Sequence, residues 1–230
     1  MIFDVVTLFP GIFFGPLQDG MLARARRKGV VGVRLHDLRR FGVGPQRQVD
    51  DTPFGGGGGM ILRPEPFFKA VDWIRERYPS EGTRIVLLSP QGAKLGHDSA
   101  RRLADYRRLI LLCGRYEGVD ERVHTGLADE ELSVGDLVVT GGELPAALLI
   151  DAVSRFVPGV LGRSGAVEED SFADGRLDSP YYTRPRSFRG WRVPDVLLSG
   201  DHGEIARWRE TGAREATETK RPDLLKRGGR

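Results

Sequence analysis

Short aliphatic runs alternate with helix-like stretches along roughly the first 150 residues of the chain. The predicted strands are IFDVVTLF, VVGVRLHDL, TRIVLLS, RRLILLCG and LSVGDLVVTGG, and the predicted helices are LQDGMLARARRKG, RPEPFFKAVDWIRERYP, HDSARRLADY and ELPAALLIDAVSRFVP. TRIVLLS and RRLILLCG are almost wholly apolar, which is typical of strands that a parallel sheet buries on both faces. This alternation predicts an α/β domain with a largely parallel sheet.

The alternation stops near residue 160. The segment GVLGRSGAVEEDSFADGRLDSP is rich in Gly, Ser and acidic residues and has no sustained period, so it is typical of a linker or mobile loop. A weak helical pattern follows, with Asp201 as a candidate N-cap before EIARWRE. We therefore predict a first domain over 1–160, a flexible linker over 161–178 and a small, basic, mainly helical domain over 179–230.

Charge is segregated along the chain, although the net charge is only +3. Residues 21–48 carry eight basic residues against one acid, and residues 184–230 carry twelve against seven. Residues 115–143 carry eight acids against two basic residues. Basic segments on either side of an acidic one favour a polyanionic partner such as nucleic acid. Solvated helix faces would give the same pattern, so both interpretations stay open at this point.

A cytoplasmic protein is expected from the single cysteine, Cys113, which leaves no intramolecular disulfide and suits a reducing compartment. Cys113 ends an aliphatic run and is predicted to be a small core residue. No apolar run approaches the roughly 18 residues that span a bilayer, so no membrane partner is expected. The four histidines show no metal-binding spacing.

Glycine-rich segments follow several of the predicted strands: SPQG, CGRYEGVDERV and SVGDLVVTGGELP. Since ligands of open α/β sheets bind beyond the carboxyl ends of the strands, the three segments could surround one pocket, where glycine lets the backbone approach a flat polar ligand such as adenine. Ordinary turn chemistry would explain any one of them alone. No P-loop occurs, and no G-x-G-x-x-G follows the first strand, which argues against a nicotinamide-dependent dehydrogenase.

The motifs together resemble a known family. DDTPFGGGGGM, LSPQG, LLCGRYEGVDERV, SVGDLVVTGGELPA, DAVSRFVPGVLG, EEDSF, YYTRP and VPDVLLSGDHGEI are similar, in order and spacing, to the bacterial tRNA (guanine-N1)-methyltransferases of the knotted SPOUT superfamily. The resemblance implies an α/β domain with a deep trefoil knot, followed by a small helical domain that binds tRNA. It also implies a homodimer with its active sites at the interface, in which the apolar helix over 143–156 would take part.

The implied reaction is methyl transfer from S-adenosyl-L-methionine to N1 of the tRNA guanine immediately 3′ of the anticodon, position thirty-seven, which supports maintenance of the reading frame. By the same resemblance Asp170 is the general base and Arg155 stabilises O6 of the guanine. From the residues alone, Asp170 would pass for a solvated acid beside Glu168 and Glu169, and Arg155 for an interface arginine. Mg²⁺ is implied as well, with unknown ligands.

The knot loops are expected to hold the cofactor. The implied contacts are Pro90, Gly114, Tyr116, Glu117, Ser133, Val134, Gly135, Asp136, Leu137, Val138, Val139, Gly141, Gly142 and Pro145. Two alternatives stay open: a related RNA-binding module without catalysis, and a methyltransferase of another RNA or of a ribose hydroxyl. The presence of Asp170, Arg155 and the loop glycines argues against the first, and the EEDSF and GRYEGVDERV strings argue against the second.

Overall fold

The computed structural model describes residues 1–162, 165 and 167–225. The chain divides into two compact units, Met1–Gly162 and Arg163–Arg230. The predicted linker and C-terminal domain extend over 163, 164, 166 and 226–230, which lie outside the described residues. No helix of the described residues is long and apolar enough to cross a membrane.

A five-stranded parallel sheet forms the centre of the first unit. The strands of this unit are β1 (Ile2–Thr7), β2 (Gly32–Asp37), β3 (Asp50–Asp51), β4 (Ile61–Leu62), β5 (Thr83–Lys94), β6 (Arg108–Cys113) and β7 (Glu130–Ser133). The sheet has the order β2-β1-β6-β5-β7, with every neighbouring pair parallel, and β3 and β4 form a separate antiparallel pair. The predicted α/β class with a parallel sheet is confirmed.

Helices cover both faces of this sheet. They are α1 (Gly20–Arg27), α2 (Pro64–Arg77), α3 (His97–Leu103), α4 (Glu121–Gly126) and α5 (Glu143–Ser154). The central strand β6 is buried along its whole length: Leu109 and Leu111 pack in the apolar cluster that includes residues of α1, α3 and α5, whereas Ile110 and Leu112 pack in the cluster that includes residues of α2. Burial on two faces is why this strand is apolar at successive positions.

Two strand boundaries differ from the prediction. β7 ends at Ser133, and residues 134–142 form a loop in which Leu137 and Val138 are exposed. The apolar residues of this loop led to the prediction of a longer strand. Apolar residues are common both in buried strands and in the walls of a cleft, so their presence alone does not distinguish the two. SPQG, predicted as a loop, belongs instead to β5, where the pairing register shifts between Leu88 and Ala93. This irregularity brings Gly92 against the backbone of Glu131: a Cβ on Gly92 would lie 2.4 Å from the carbonyl carbon of Glu131.

The second unit contains a short hairpin, β8 (Ser187–Phe188) and β9 (Trp191–Arg192), then a 3₁₀ helix over Asp195–Leu198, α6 (His202–Lys220) and α7 (Pro222–Leu225). Asp201 is the N-cap of α6 and accepts a hydrogen bond from the amide of Glu204 at 2.9 Å, which confirms the predicted cap. The described residues between 165 and 178 form turns.

Candidate active site

A cleft of about 390 Å³ lies beyond the carboxyl ends of β5, β6 and β7. Three segments surround it: the irregular part of β5 near Pro90, the loop after β6, and the loop after β7 that leads into α5. This is the edge of an open parallel sheet at which ligands commonly bind.

Twelve of the fourteen residues predicted to contact a cofactor line this cleft. They are Pro90, Gly114, Tyr116, Glu117, Ser133, Val134, Leu137, Val138, Val139, Gly141, Gly142 and Pro145. Gly135 and Asp136 are not among its lining residues. The Ser133 hydroxyl donates to the Gly135 carbonyl at 2.9 Å and closes a tight turn, and beyond it the Asp136 carboxylate is exposed and pairs with Lys94.

The structure adds lining residues that the sequence did not single out: Leu87, Leu88, Ser89, Gln91, Arg115, Gly118, Val119, Glu121, His124, Glu131, Leu132 and Thr140. Most of these adjoin the glycine-rich motifs and could have been found by extending them. Glu121 and His124 come from α4, which was not predicted because six residues are too few to show a helical period. Its one local signal is the N-cap, Asp120, whose side chain accepts from the amide of Arg122.

The two glycine loops are in direct backbone contact. The amide of Gly142 donates to the carbonyl of Gly114 at 2.9 Å, and Arg115 pairs with Gly141 in an isolated antiparallel bridge. Cys113, at the end of β6, is fully buried, and burial raises the pKa of its thiol well above the usual range. A thiol held neutral in the core agrees with the packing role predicted for Cys113.

The five consecutive glycines reach this site through Gly59. Gly59 has a φ of +88°, a conformation that favours glycine, and a Cβ there would lie 2.4 Å from Cγ of Glu117, so the Glu117 side chain would have to shift. The amide of Glu117 also donates to the carbonyl of Met60 at 3.1 Å. The segment therefore supports one wall of the cleft by letting the Glu117 side chain lie directly against its backbone.

The two predicted catalytic residues belong to different units. Arg155 is half-buried and forms the C-cap of α5 in the first unit. Asp170 is half-buried in the second unit, where its amide donates to the carbonyl of Val167 at 3.3 Å. Asp170 lines a second cavity of about 580 Å³ that also includes Glu168, Glu169, Asp174, Arg176, Asp178 and Arg209.

The acidic second cavity is partly neutralised by Arg176. Its guanidinium group hydrogen-bonds the carboxylates of Asp174 and Glu210. The Arg176 hydrogen bond holds the pKa of Asp174 below its ordinary value. Tyr181 donates to Asp178, and this hydrogen bond raises the pKa of the Tyr181 phenol. These pairs lie on the chain segment that follows Asp170 and connect it to α6 through Glu210.

The described residues contain no group of three or more His, Cys, Asp or Glu side chains arranged to hold a metal ion.

The fold and the cleft define an α/β protein with a ligand site at the carboxyl edge of a parallel sheet. Comparison with known proteins gives the family. The family model described as tRNA (guanine-1)-methyltransferase TrmD matches residues 1–227, and the chain belongs to that family. Its members are S-adenosylmethionine-dependent methyltransferases of tRNA. The resemblance to the tRNA (guanine-N1)-methyltransferases and the predicted class of enzyme are therefore confirmed.

Curated relatives of the chain carry the same enzyme name as the family model. A tRNA (guanine-N(1)-)-methyltransferase of Desulforudis audaxviator is 55% identical over 225 residues, covering 98% of this chain and 90% of the relative. The protein of the same name from Geobacter sulfurreducens is 51% identical, covering 98% of this chain and 91% of the relative. That of Geobacillus kaustophilus is 49% identical over 222 residues, covering 96% of this chain and 90% of the relative.

Proposed function

We propose that this chain transfers the methyl group of S-adenosylmethionine to N1 of the guanine immediately 3′ of the tRNA anticodon, position thirty-seven. The observation that carries the proposal is the convergence of three motif segments, distant in sequence, on one cleft in a member of the tRNA (guanine-1)-methyltransferase family. Methylation of this guanine would support maintenance of the reading frame. The same function places the chain in the cytoplasm with its substrate.

The cleft suits the cofactor chemically. Gly114, Gly141 and Gly142 border the cleft, and the absence of side chains there lets a flat ring such as a purine approach the backbone closely. Carboxylates of Glu117, Glu121 and Glu131 line it as well, and they favour the positive charge of a sulfonium and an ammonium group. Gly135 and Asp136, outside the lining, act by shaping the turn that carries Leu137.

The chemistry requires one base and one cationic donor. Guanine N1 carries a proton, and its lone pair becomes nucleophilic as that proton leaves. In the proposed step Asp170 takes the N1 proton, N1 forms a bond to the methyl carbon, and the C–S bond breaks to leave neutral S-adenosylhomocysteine. Arg155 donates to O6, where negative charge develops in the transition state.

The second unit carries a surface suited to RNA. Phe188 and Trp191 are cross-strand partners in the β8–β9 hairpin, and both are exposed. Arg186, Arg189 and Arg192 lie in or beside the same hairpin and are exposed too. Exposed aromatic rings among arginines favour stacking on unpaired bases and contact with the phosphate backbone. The basic residues of 21–48 would add further backbone contacts.

A homodimer and a trefoil knot complete the proposal. Leu144 and Leu148 are one helical turn apart on α5 and are 57% and 54% exposed, so α5 presents an apolar surface in addition to its buried face. A second copy of the chain would cover that surface. The knot is proposed from membership of the family, since knots are otherwise rare in proteins. Mg²⁺ remains an implication of the resemblance.

The test is transfer of labelled methyl groups to unmodified tRNA with guanine or adenine 3′ of the anticodon. We expect transfer to the guanine tRNA only. Asp170→Asn is expected to lower the rate by roughly 100-fold or more without loss of S-adenosylhomocysteine binding. Glu168→Gln, two residues away in the same cavity, is the matched control and should stay within a few-fold of the unmodified chain.

Two results would count against the proposal. Equal transfer to both tRNAs, or to neither, would remove the assigned target base and favour another RNA. Equal activity of Asp170→Asn and Glu168→Gln would remove Asp170 as the base and leave the substrate assignment intact.

A further inference from the structure

Two arginines stack on one aromatic ring beside the cleft. The guanidinium carbons of Arg115 and Arg39 lie 4.4 and 5.3 Å from the ring centroid of Phe9. Phe9 follows β1, Arg39 lies in a short 3₁₀ helix, Leu38–Phe41, that follows β2, and Arg115 follows β6. Because β2, β1 and β6 are parallel neighbours, the three side chains meet at the carboxyl edge of the sheet, where Arg115 lines the cleft.

Arg115 is fixed by a fully buried carboxylate. Glu143, the first residue of α5, accepts from Nε of Arg115 at 3.0 Å and from the Thr7 hydroxyl at 2.8 Å. A Cβ at Gly141 would lie 2.3 Å from that Nε and 2.5 Å from Oε2 of Glu143, so the ion pair passes over Gly141 in space that only glycine leaves open. Glu143 thus joins the end of β1, the loop after β6 and the start of α5.

These contacts leave hydrogen-bond donors available on both arginines. Arg115 bonds Glu143 through Nε, and its two Nη atoms have no hydrogen-bond partner elsewhere in the described chain. Arg39 donates from Nη1 to the carbonyl of Leu8. The side chain of Arg39 is 46% exposed and that of Arg115 is 17% exposed. Glu143 is fully buried and cannot itself meet a ligand.

We propose that Arg39, Phe9 and Arg115 form a phosphate-binding element for the RNA strand that enters the cleft, which rests on the proposed function. Guanidinium groups match phosphate oxygens in geometry and charge, and stacking on Phe9 orders them before the ligand arrives. Glu117, Glu121 and Glu131, which also line the cleft, repel phosphate, so the strand is drawn to the side that the arginines occupy.

The test measures binding of unmodified tRNA by fluorescence anisotropy over a range of NaCl concentrations, with S-adenosylhomocysteine present. One variant is Arg39→Gln. The other combines Arg115→Gln with Glu143→Gln, because removing Arg115 alone would leave a buried unpaired carboxylate. The matched control for Arg39→Gln is Arg75→Gln, which makes the same charge change at an exposed position of α2, whereas the double variant leaves the net charge unchanged.

We expect each test variant to bind tRNA about tenfold more weakly than Arg75→Gln, and to reduce the slope of log Kd against log salt by about one for each phosphate that the variant no longer binds. Affinity of Arg39→Gln for S-adenosylhomocysteine, measured by calorimetry, should stay unchanged, because Arg39 is not among the residues that line the cleft. Thermal melting checks that each variant is folded. If the double variant does not fold, Arg39→Gln carries the test.

Three results would overturn the inference, and they are distinguishable. Affinities and salt slopes equal to those of Arg75→Gln would show that the arginines do not meet phosphate. Weaker S-adenosylhomocysteine binding with unchanged tRNA binding would assign them to the cofactor instead. An unmodified chain that neither binds nor methylates tRNA would remove the proposed function and this inference with it.

Discussion

Gly142 lies so close to Cys113 that a Cβ on Gly142 would stand 2.8 Å from the Cys113 Cα and 3.0 Å from the Gly114 amide nitrogen. The neighbouring atoms are backbone of a buried strand end and cannot move aside cheaply. Close approach at this point lets the loop after β7 hydrogen-bond the loop after β6. The shape of the cleft therefore depends on the absence of one side chain.

Replacing Gly142 is the direct test of that dependence. Gly142→Ala is expected to force the two loops apart, to lower the free energy of unfolding by about 1–3 kcal/mol, and to weaken S-adenosylhomocysteine binding by about tenfold. Calorimetry and urea unfolding measure the two effects. Gly15→Ala is the control, because a Cβ there meets nothing within 4 Å. Equal affinity in both variants would show that the loop contact does not shape the site.

Glu130 gives a prediction for pH dependence. It accepts hydrogen bonds from Arg84 and Arg102. Burial acts to raise the pKa of the Glu130 carboxyl, but the Arg102 and Arg84 hydrogen bonds outweigh it and hold that pKa below 4.5. A lowered folded-state pKa stabilises the chain fully above the unfolded pKa, and the stabilisation is lost as pH falls through the folded value.

Glu130→Gln is therefore expected to lower the free energy of unfolding at pH 7 by about 1–2 kcal/mol, with a smaller difference from the unmodified chain near pH 3. Urea unfolding at several pH values measures this difference. Glu76→Gln, at an exposed position of α2, should show no such convergence. A difference that stays constant with pH would mean that packing, not charge, stabilises this site.

Thr217 connects α6 to the segment that carries Asp170. It is fully buried, accepts from the amide of Leu177 at 3.0 Å and donates to the carbonyl of Ala213 at 2.7 Å. Thr217→Val keeps the shape but leaves the Leu177 amide without its acceptor, at an expected cost of about 1–3 kcal/mol.

The activity of Thr217→Val shows whether the substitution loosens only the segment that carries Asp170 or destabilises the whole protein. We expect its kcat for methyl transfer to fall several-fold while S-adenosylhomocysteine binding to the first unit stays unchanged. Thr219→Val, at an exposed position of the same helix, is the matched control. Unchanged kcat in Thr217→Val would show that this contact does not hold the catalytic segment.

The exposed leucines of α5 test the proposed dimer. Leu148→Glu is expected to convert a dimer to a monomer, because a charge buried at an apolar interface costs several kcal/mol unless it is paired. Light scattering after gel filtration measures the mass. Leu198→Glu, which places the same charge on an exposed leucine of the second unit, should leave the dimer intact. A monomeric unmodified chain would remove the proposal.

The α/β class and most of the helices and strands could be predicted from the sequence alone, because hydrophobic period and cap chemistry are local. RRLILLCG predicted a strand buried on both faces, Asp201 predicted a helix start, and the glycine motifs indicated one pocket. The fourteen expected cofactor residues, twelve of which line that pocket, came from the resemblance. Resemblance supplied Asp170 and Arg155, which residue chemistry alone could not separate from ordinary surface groups.

Three features depend on packing in three dimensions: where LSVGDLVVTGG leaves the sheet, how SPQG joins β5, and why a side chain is disfavoured at Gly141, Gly142 and Gly59. Each of these depends on atoms that are distant in sequence: the Cys113 backbone, the Arg115–Glu143 ion pair and the Glu117 side chain. A local pattern records what a residue prefers, whereas packing decides which neighbour it meets. For that reason the sequence could predict that a pocket forms, whereas the contacts between its lining residues follow from the fold.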